Sequence, residues 1–547
     1  MKISARSCLA LLPLAALGLL LLAPVMRLGL EAWRGDASLG LQTATAPWHL
    51  WQDDYLRWRL VWSVVQAGVT CVAALLLGLP VAWVLARFEF AGRTLTLRLL
   101  MLPFVVPTLV AALGVLALWG PRGLLSGWLG LDLQNTPWLL LYGNLFFNLC
   151  LVVRAGVDAL NQVSAQRVAA ARTLGATPWR AFWRVEWPSI APWLASSLCL
   201  VFLYCLSGFG LALVLGGQRF ATVEVEIYTL VAHELQLVQA SWLALWMLLL
   251  TGAVALAYSK IEKHLAAPAR TEPVLRQRPQ SPGQWLALLG AMAVLFFFCA
   301  APVLAILWRT AQAGAQAWAV LLEADTQAAL WNTVRFSAVA LVLATLTGLA
   351  HALASSRSVL WRAAAFLPFV VSPVTVAFGL LLLYPHWTAS LSLLLAAYAV
   401  LAYPFVTQSV SAGLDSLPQN LQQAARTLGA GPWRTFWRVT LPMLQPALRR
   451  GMAFAAATAL GEFAVTLFLS RPEWATLTTL IYQRLARPGA ANLDAALVLA
   501  CLLMALALLV FLLIEWPADR QQTTPKAKAK AKAKAKARDK ARDNAHA

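Results

Sequence analysis

Stretches of about twenty apolar residues recur along this chain, among them "LALLPLAALGLLLLAPVM", "FSAVALVLATLTGLAHALA" and "AALVLACLLMALALLVFLLI". As a helix, each is long enough to cross a hydrocarbon core of about 30 Å. One such run fits a buried helix of a soluble domain, but a dozen do not. Only helices and closed barrels satisfy their backbones in lipid. The chain therefore reads as an all-α polytopic membrane protein. Its 12% of charged residues, against about 25% in soluble domains, leaves little surface made for water.

The runs predict about twelve transmembrane helices, at 8–26, 60–86, 97–119, 138–156, 190–215, 239–258, 284–308, 331–354, 362–384, 388–411, 446–470 and 493–515. Lys2 and Arg6 precede the first run as in a signal peptide, but no small-residue cleavage site follows, so it reads as a retained anchor. Arg87, Arg93, Arg154, Arg172, Arg184, Lys260, Arg270, Arg357, Arg426 and Arg438 fall in loops on one side, whereas the opposite loops carry fewer cations, such as Arg122, Arg219 and Arg471. The bias places the rich side, and both termini, in the cytoplasm. The seven cysteines lie in apolar runs without CxxC spacing and read as small hydrophobes. The Lys/Ala tail from Lys526 has no apolar face and reads as disordered, loosely attracted to anionic lipid and without a folded nucleic-acid element.

The chain repeats itself. "AARTLGATPWRAFWRVEWPSIAP" from Ala170 returns as "AARTLGAGPWRTFWRVTLPMLQP" from Ala424, a constant offset of 254. "LPFVV" at Leu102 returns at Leu367, with Gly114 answering Gly379, and Gly78 with Arg87 answers Gly348 with Arg357. Both copies run in the same direction with six spans each, which gives parallel repeats about an axis along the membrane normal. The division is 1–258 for the first repeat, 259–283 for a polar linker, 284–515 for the second repeat and 516–547 for the tail. The twin loops occupy about 161–189 and 415–443.

Two equivalent loops predict a partner with two equivalent sockets. Each reads as a short helix of good formers, stopped near Gly175 or Gly429 and barred from continuing by Pro178 or Pro432. Trp and Arg, which crowd "WRAFWRV" and "WRTFWRV", are favoured at buried interface centres. An interfacial helix on lipid headgroups is the alternative.

The pattern Ala-Ala-x-x-x-Gly, followed at a distance by a hydrophobic residue and Pro, resembles the EAA loop of permease subunits of binding-protein-dependent ABC importers. The six-plus-six layout resembles the fused permeases for thiamine and for ferric iron. "LPFVVPTLVAALGVLALWGPRGLL", "LSGFGLALVLGGQRFATVEVEIYTL" and "LGEFAVTLFLSRPEWATLTTLIYQRL" are closer to the thiamine type. The resemblance implies a type I importer fold in the bacterial inner membrane. Ala170, Ala171, Gly175, Trp179, Phe182 and Pro188, with Gln423, Ala424, Ala425, Gly429, Trp433, Phe436 and Pro442, would face a dimer of separate ATPase subunits. A periplasmic binding protein would deliver the solute. The leading Glu of the family loop is replaced by Ala169 and Gln423, so an ion pair through it cannot form. ATP and Mg would belong to the ATPase. No lysine here completes G-x-x-x-x-G-K-[ST], so the chain itself is no enzyme and needs no cofactor or metal.

For the solute path, Glu462 in "LGEFAVTLF" is a carboxylate inside an apolar run, costing about 2.5–3.5 kcal/mol to insert. It either faces a cavity, as a counter-charge for an organic cation, or pairs with an internal donor or sits near the periplasmic interface. Asn144 and Asn148, four apart on one face, line the same path or join helices. Phe209 and Phe463 match across the repeat and either gate the path or pack. An ion-coupled secondary transporter shares the repeat architecture but normally carries several buried ionisable residues along its path.

Overall fold

The computed structural model describes residues 5–34, 49–131, 133–264, 274–355, 359–388, 390–469 and 471–515. Lys2, Arg270, Arg357, part of the predicted linker and the whole basic tail lie outside the described residues. Apart from one bridge between Phe88 and Gln277, the described chain is helical. In chain order the elements that matter are α1 (Leu9–Trp33), α2 (Asp54–Arg87), α3 (Thr108–Trp119), α4 (Pro137–Leu160), α5 (Ala165–Thr173), α6 (Trp187–Leu206), α7 (Phe209–Leu215), α8 (Val223–Thr229) and α9 (Leu237–His264). The second half gives α10 (Pro282–Gln312), α11 (Ala324–Ser355), α12 (Pro373–Leu383), α13 (Leu391–Ser416), α14 (Gln419–Thr427), α15 (Leu441–Leu460), α16 (Ala464–Leu469), α17 (Leu477–Ala486) and α18 (Ala490–Glu515).

Ten described helices are long and apolar enough to cross a membrane, two fewer than the twelve expected spans. The span expected at 362–384 is broken, and its main piece α12 has 11 residues, about half the length a bilayer needs. The span expected at 446–470 carries Arg449 and Arg450 and stops at Gly461 before resuming as α16. The spans at 97–119 and 190–215 are interrupted too, at Val106–Pro107 and Ser207–Gly208. Hydropathy averaged over a window passes across a two-residue break.

The sequence halves are not two separate bodies. α1 packs on α11 and α12 of the second half, and α10 packs on α2, α3 and α4 of the first. Leu17 and Leu21 of α1 belong to the core built by α11–α13, whereas Leu288, Ala305 and Ile306 of α10 belong to the core of the first half. Each exchange rests on a glycine. A Cβ on Gly114 would sit 2.8 Å from the Pro302 carbonyl oxygen, and one on Gly379 would sit 2.8 Å from Pro24 Cβ. The matched glycines thus permit two matched helix crossings. Each proline lacks an N–H and crowds the turn before it, and a π turn precedes each one, at Gly18–Leu22 and Phe296–Ala300.

A second matched pair secures the starts of α8 and α17. The Val223 N–H opening α8 donates to Ser63 Oγ of α2 at 2.9 Å, and the Leu477 N–H opening α17 donates to Thr333 Oγ1 of α11 at 2.9 Å. A helix start has N–H groups with no partner in its own helix, and here a hydroxyl from the neighbouring span supplies one.

Candidate functional site

Four chain breaks converge on one cavity of about 270 Å³. Val106–Pro107 precedes α3, Ser207–Gly208 separates α6 from α7, Ser372 precedes α12, and Gly461–Phe463 separates α15 from α16. Non-helical backbone within a membrane protein is tolerated where it lines a cavity or is buried in protein. Discontinuous helices are also where transporters place their solute sites.

Asn144, Asn148, Phe209, Glu462 and Phe463 all line this cavity. They come from three chain segments that the fold brings together. Glu462 is buried at 9% exposure and follows the end of α15. Its Oε1 accepts the Val465 N–H at 3.1 Å, capping α16. The first two readings of this residue therefore coexist, since the carboxylate lines the cavity and also takes an internal donor. Its backbone carbonyl accepts Thr478 Oγ1 at 3.1 Å and Thr466 Oγ1 at 3.3 Å, so the break is held from two sides. Gly208 stands at the matching first-half position and lines the cavity opposite, so the charge is one-sided.

Asn144 Nδ2 donates to Gln66 Oε1 at 2.7 Å, and Asn148 Nδ2 donates to the Asn144 carbonyl at 2.9 Å. Asn144 thus ties α4 to α2, Asn148 Nδ2 also reaches Cys205 Sγ of α6 at 3.4 Å, and both amides line the cavity. Asn148 Oδ1 is left without a partner among the described residues. Phe209 and Phe463 stack, with centroids 5.8 Å apart and planes at 25°. Three further rings converge on the wall. Phe369 and Phe405 lie edge to face at 5.2 Å, with Phe104 6.4 Å from Phe405. Phe104 and Phe369 are the same position of the repeated "LPFVV", and that repetition was the available signal for them.

Sequence reasoning missed three buried carboxylates, of which Glu226 of α8 pairs with Arg59 of α2. Glu224 of α8 is fully buried and accepts from Ser372 Oγ at 2.8 Å, a bond between the two halves beside the cavity wall at Pro373. Glu186 pairs with Arg87 at 2.7 Å and fixes the root of the first twin loop to the end of α2. The matching residue in the second loop is Thr440, so this anchor is absent from the repeat pattern.

The twin loops have one geometry. α5 and α14 end at glycines with φ of +84° and +80°. Gly175 N–H donates to the Arg172 carbonyl and Ala176 N–H to the Ala171 carbonyl, each at 3.0 Å. Gly429 and Ala430 repeat both bonds on Arg426 and Ala425 at the same distances. This left-handed stop satisfies the last carbonyls and suits glycine. Pro178–Ala181 and Pro432–Thr435 form one turn each, followed by π turns at Phe182–Glu186 and Phe436–Thr440, before Pro188 and Pro442. Ala170, Ala424 and Gln423 are exposed, Ala171 and Ala425 half-buried, and the burial pattern of the two loops matches. Trp179 lies edge to face with Trp183 at 5.5 Å, as Trp433 does with Trp437. The most exposed apolar side chains of the loops are Leu174 at 88% and Leu428 at 87%. Both were overlooked beside the tryptophans.

The sequence model of the family described as "Binding-protein-dependent transport system inner membrane component" matches residues 74–265 and 345–521. Among curated proteins, the thiamine transport system permease protein of Escherichia coli is 27% identical over 495 residues, covering 85% of this chain and 90% of that protein. The protein of that name from Haemophilus influenzae is 26% identical over 484 residues, covering 84% and 88%. The sulfate transport system permease protein of Escherichia coli is 34% identical over 166 residues, 30% of this chain and 60% of that protein.

Proposed function

Because this chain belongs to the inner membrane components of binding-protein-dependent transport systems, we propose that it is the permease through which thiamine or its phosphate esters enter the cell. The membership itself makes it the non-catalytic membrane subunit of an ABC importer, working with an ATPase and a solute-binding protein. This favours ATP over an ion gradient as the driving force. The proposed substrate rests first on one observation: a single carboxylate, Glu462, lines a cavity of aromatic, apolar and uncharged polar side chains where four helix breaks meet. A thiazolium cation finds a counter-charge there, and its rings find faces at Phe209 and Phe463. The thiamine permeases aligned with most of the chain support the same reading.

In this proposal the twin loops seat on an ATPase dimer that binds ATP and Mg. Leu174 and Leu428 serve as apolar knobs and Trp179 and Trp433 as flanking anchors. Ala169 and Gln423 are exposed where the family loop carries Glu, so contact there depends on shape instead of an ion pair. ATPase closure draws the loops together and tilts the crossed helices, opening the cavity first to one side and then to the other. Both termini and the loops then lie in the cytoplasm.

The deciding experiment is uptake by the reconstituted complex with its binding protein. Excess thiamine should block labelled-thiamine uptake, and ferric iron should not. Accumulation of iron without thiamine would overturn the substrate while leaving the importer architecture in place.

A further inference from the structure

A second cavity, of about 300 Å³, lies between α3 of the first half and α10 and α18 of the second. It sits at the end of the molecule away from the twin loops. Leu113, Leu116, Leu493 and Leu497 form apolar walls, and Arg122 and Arg309 stand at the rim. Arg309 Nη1 donates to the Arg122 carbonyl at 2.6 Å, which brings the two guanidinium-bearing segments together. Its Nη2 lies 3.9 Å from Asp494 Oδ1, beyond hydrogen-bond range. Arg122 is exposed and has no carboxylate within 4 Å among the described residues. Arg59, Arg57 and Arg484 at this end are paired with Glu226, Asp54 and Glu323, whereas Arg219 and Arg487, like Arg122, have no carboxylate within 4 Å among the described residues. Among the described residues around the groove, Arg122 and Arg309 face one aspartate, Asp494, an excess of one positive charge at its apolar mouth.

We propose that Arg122 and Arg309 hold the phosphodiester of a membrane phospholipid whose acyl chain lies along Leu113, Leu116, Leu493 and Leu497. Guanidinium is the side chain best shaped for phosphate oxygens, offering paired donors in one plane. The single net charge matches the single negative charge of a phosphodiester. The walls match the tail, which a free anion does not need. Because the groove is shared between halves, the bound lipid fastens α3 to α10 at their crossing.

The test uses the full-length chain, purified in detergent and stripped of lipid, with native mass spectrometry and thermal unfolding as readouts. Phosphatidylglycerol should leave one retained adduct and raise Tm. Diacylglycerol with the same chains and inorganic phosphate alone should do neither. Arg122→Gln leaves the backbone carbonyl that Arg309 uses, so the fold is kept while retention weakens at least tenfold. The double variant R122Q/R309Q should lose the adduct, and R122K should recover part of it. Retention at the wild-type level in R122Q and in the double variant would overturn the proposal. An equal effect of diacylglycerol would reduce the site to an apolar groove, and a full effect of phosphate alone would make it a free-anion site; either result refutes it.

Discussion

Glu462 occupies a position where a carboxylate does two things. One oxygen caps α16, and the residue as a whole lines the cavity. Glutamine keeps an oxygen for the Val465 N–H and removes the charge. Glu462→Gln should therefore preserve folding and ATPase docking while slowing thiamine uptake, by a factor corresponding to about 1–3 kcal/mol for a lost charged hydrogen bond. Transport assays of the reconstituted variant check this, and unchanged uptake would remove the charge from the proposed path. This residue was legible because an acid inside an apolar run is costly wherever it lands. Asn144 and Asn148 were legible for the same reason and by their spacing. Glu224 was not read, although it is the more deeply buried. "VEVEIYTL" falls between apolar runs, and only the fold carries α8 into the interior against Ser372.

At the scale of elements, the twin loops depend on two left-handed residues. Gly175 and Gly429 have open space around them, so a larger side chain meets no wall. Its cost is conformational, about 1–2 kcal/mol per site for an L-residue forced left-handed. The double replacement by a bulky residue should unwind the stops, displace Leu174 and Leu428, and abolish copurification with the ATPase while membrane insertion continues. Pull-down from solubilised membranes measures this. The single variants should differ, because Glu186 anchors only the first loop. The crossings fail in a different way. Gly114→Leu places carbon against the Pro302 backbone, where nothing can yield cheaply. It should lower Tm, with a cost of about 1–3 kcal/mol for overpacking. An unaltered Tm would mean that α3 and α10 do not cross this closely. The loop helices and their stops were legible because glycine, proline and helix formers act locally. The helix breaks were not, because "FVVP", "LSGFG" and "ALGEF" differ little from their apolar surroundings in composition. Their function becomes visible only when four of them meet.

For the whole molecule, the arginine bias predicts an orientation that reagents can read. Cysteines introduced at Ser164 and Pro418 should be shielded from an impermeant label in intact cells, and one at Gln218 should react. Labelling at Ser164 from outside would invert the molecule and remove the loops from any ATPase. The exchange of first helices also has a consequence in time. About 290 residues separate the end of α1 from the start of α11, on which it rests. At about 5–20 residues per second, α1 spends roughly 15–60 s in the membrane before its second-half seat exists, with α9 of the first half as its earlier neighbour. During that interval Leu17 and Leu21 face lipid or an insertion chaperone. A chain halted before α11 should therefore be inserted yet open to proteolysis at α1, and supplying the second half as a separate polypeptide should protect it. The packing of the first helix is in that sense completed only from the second half of the chain.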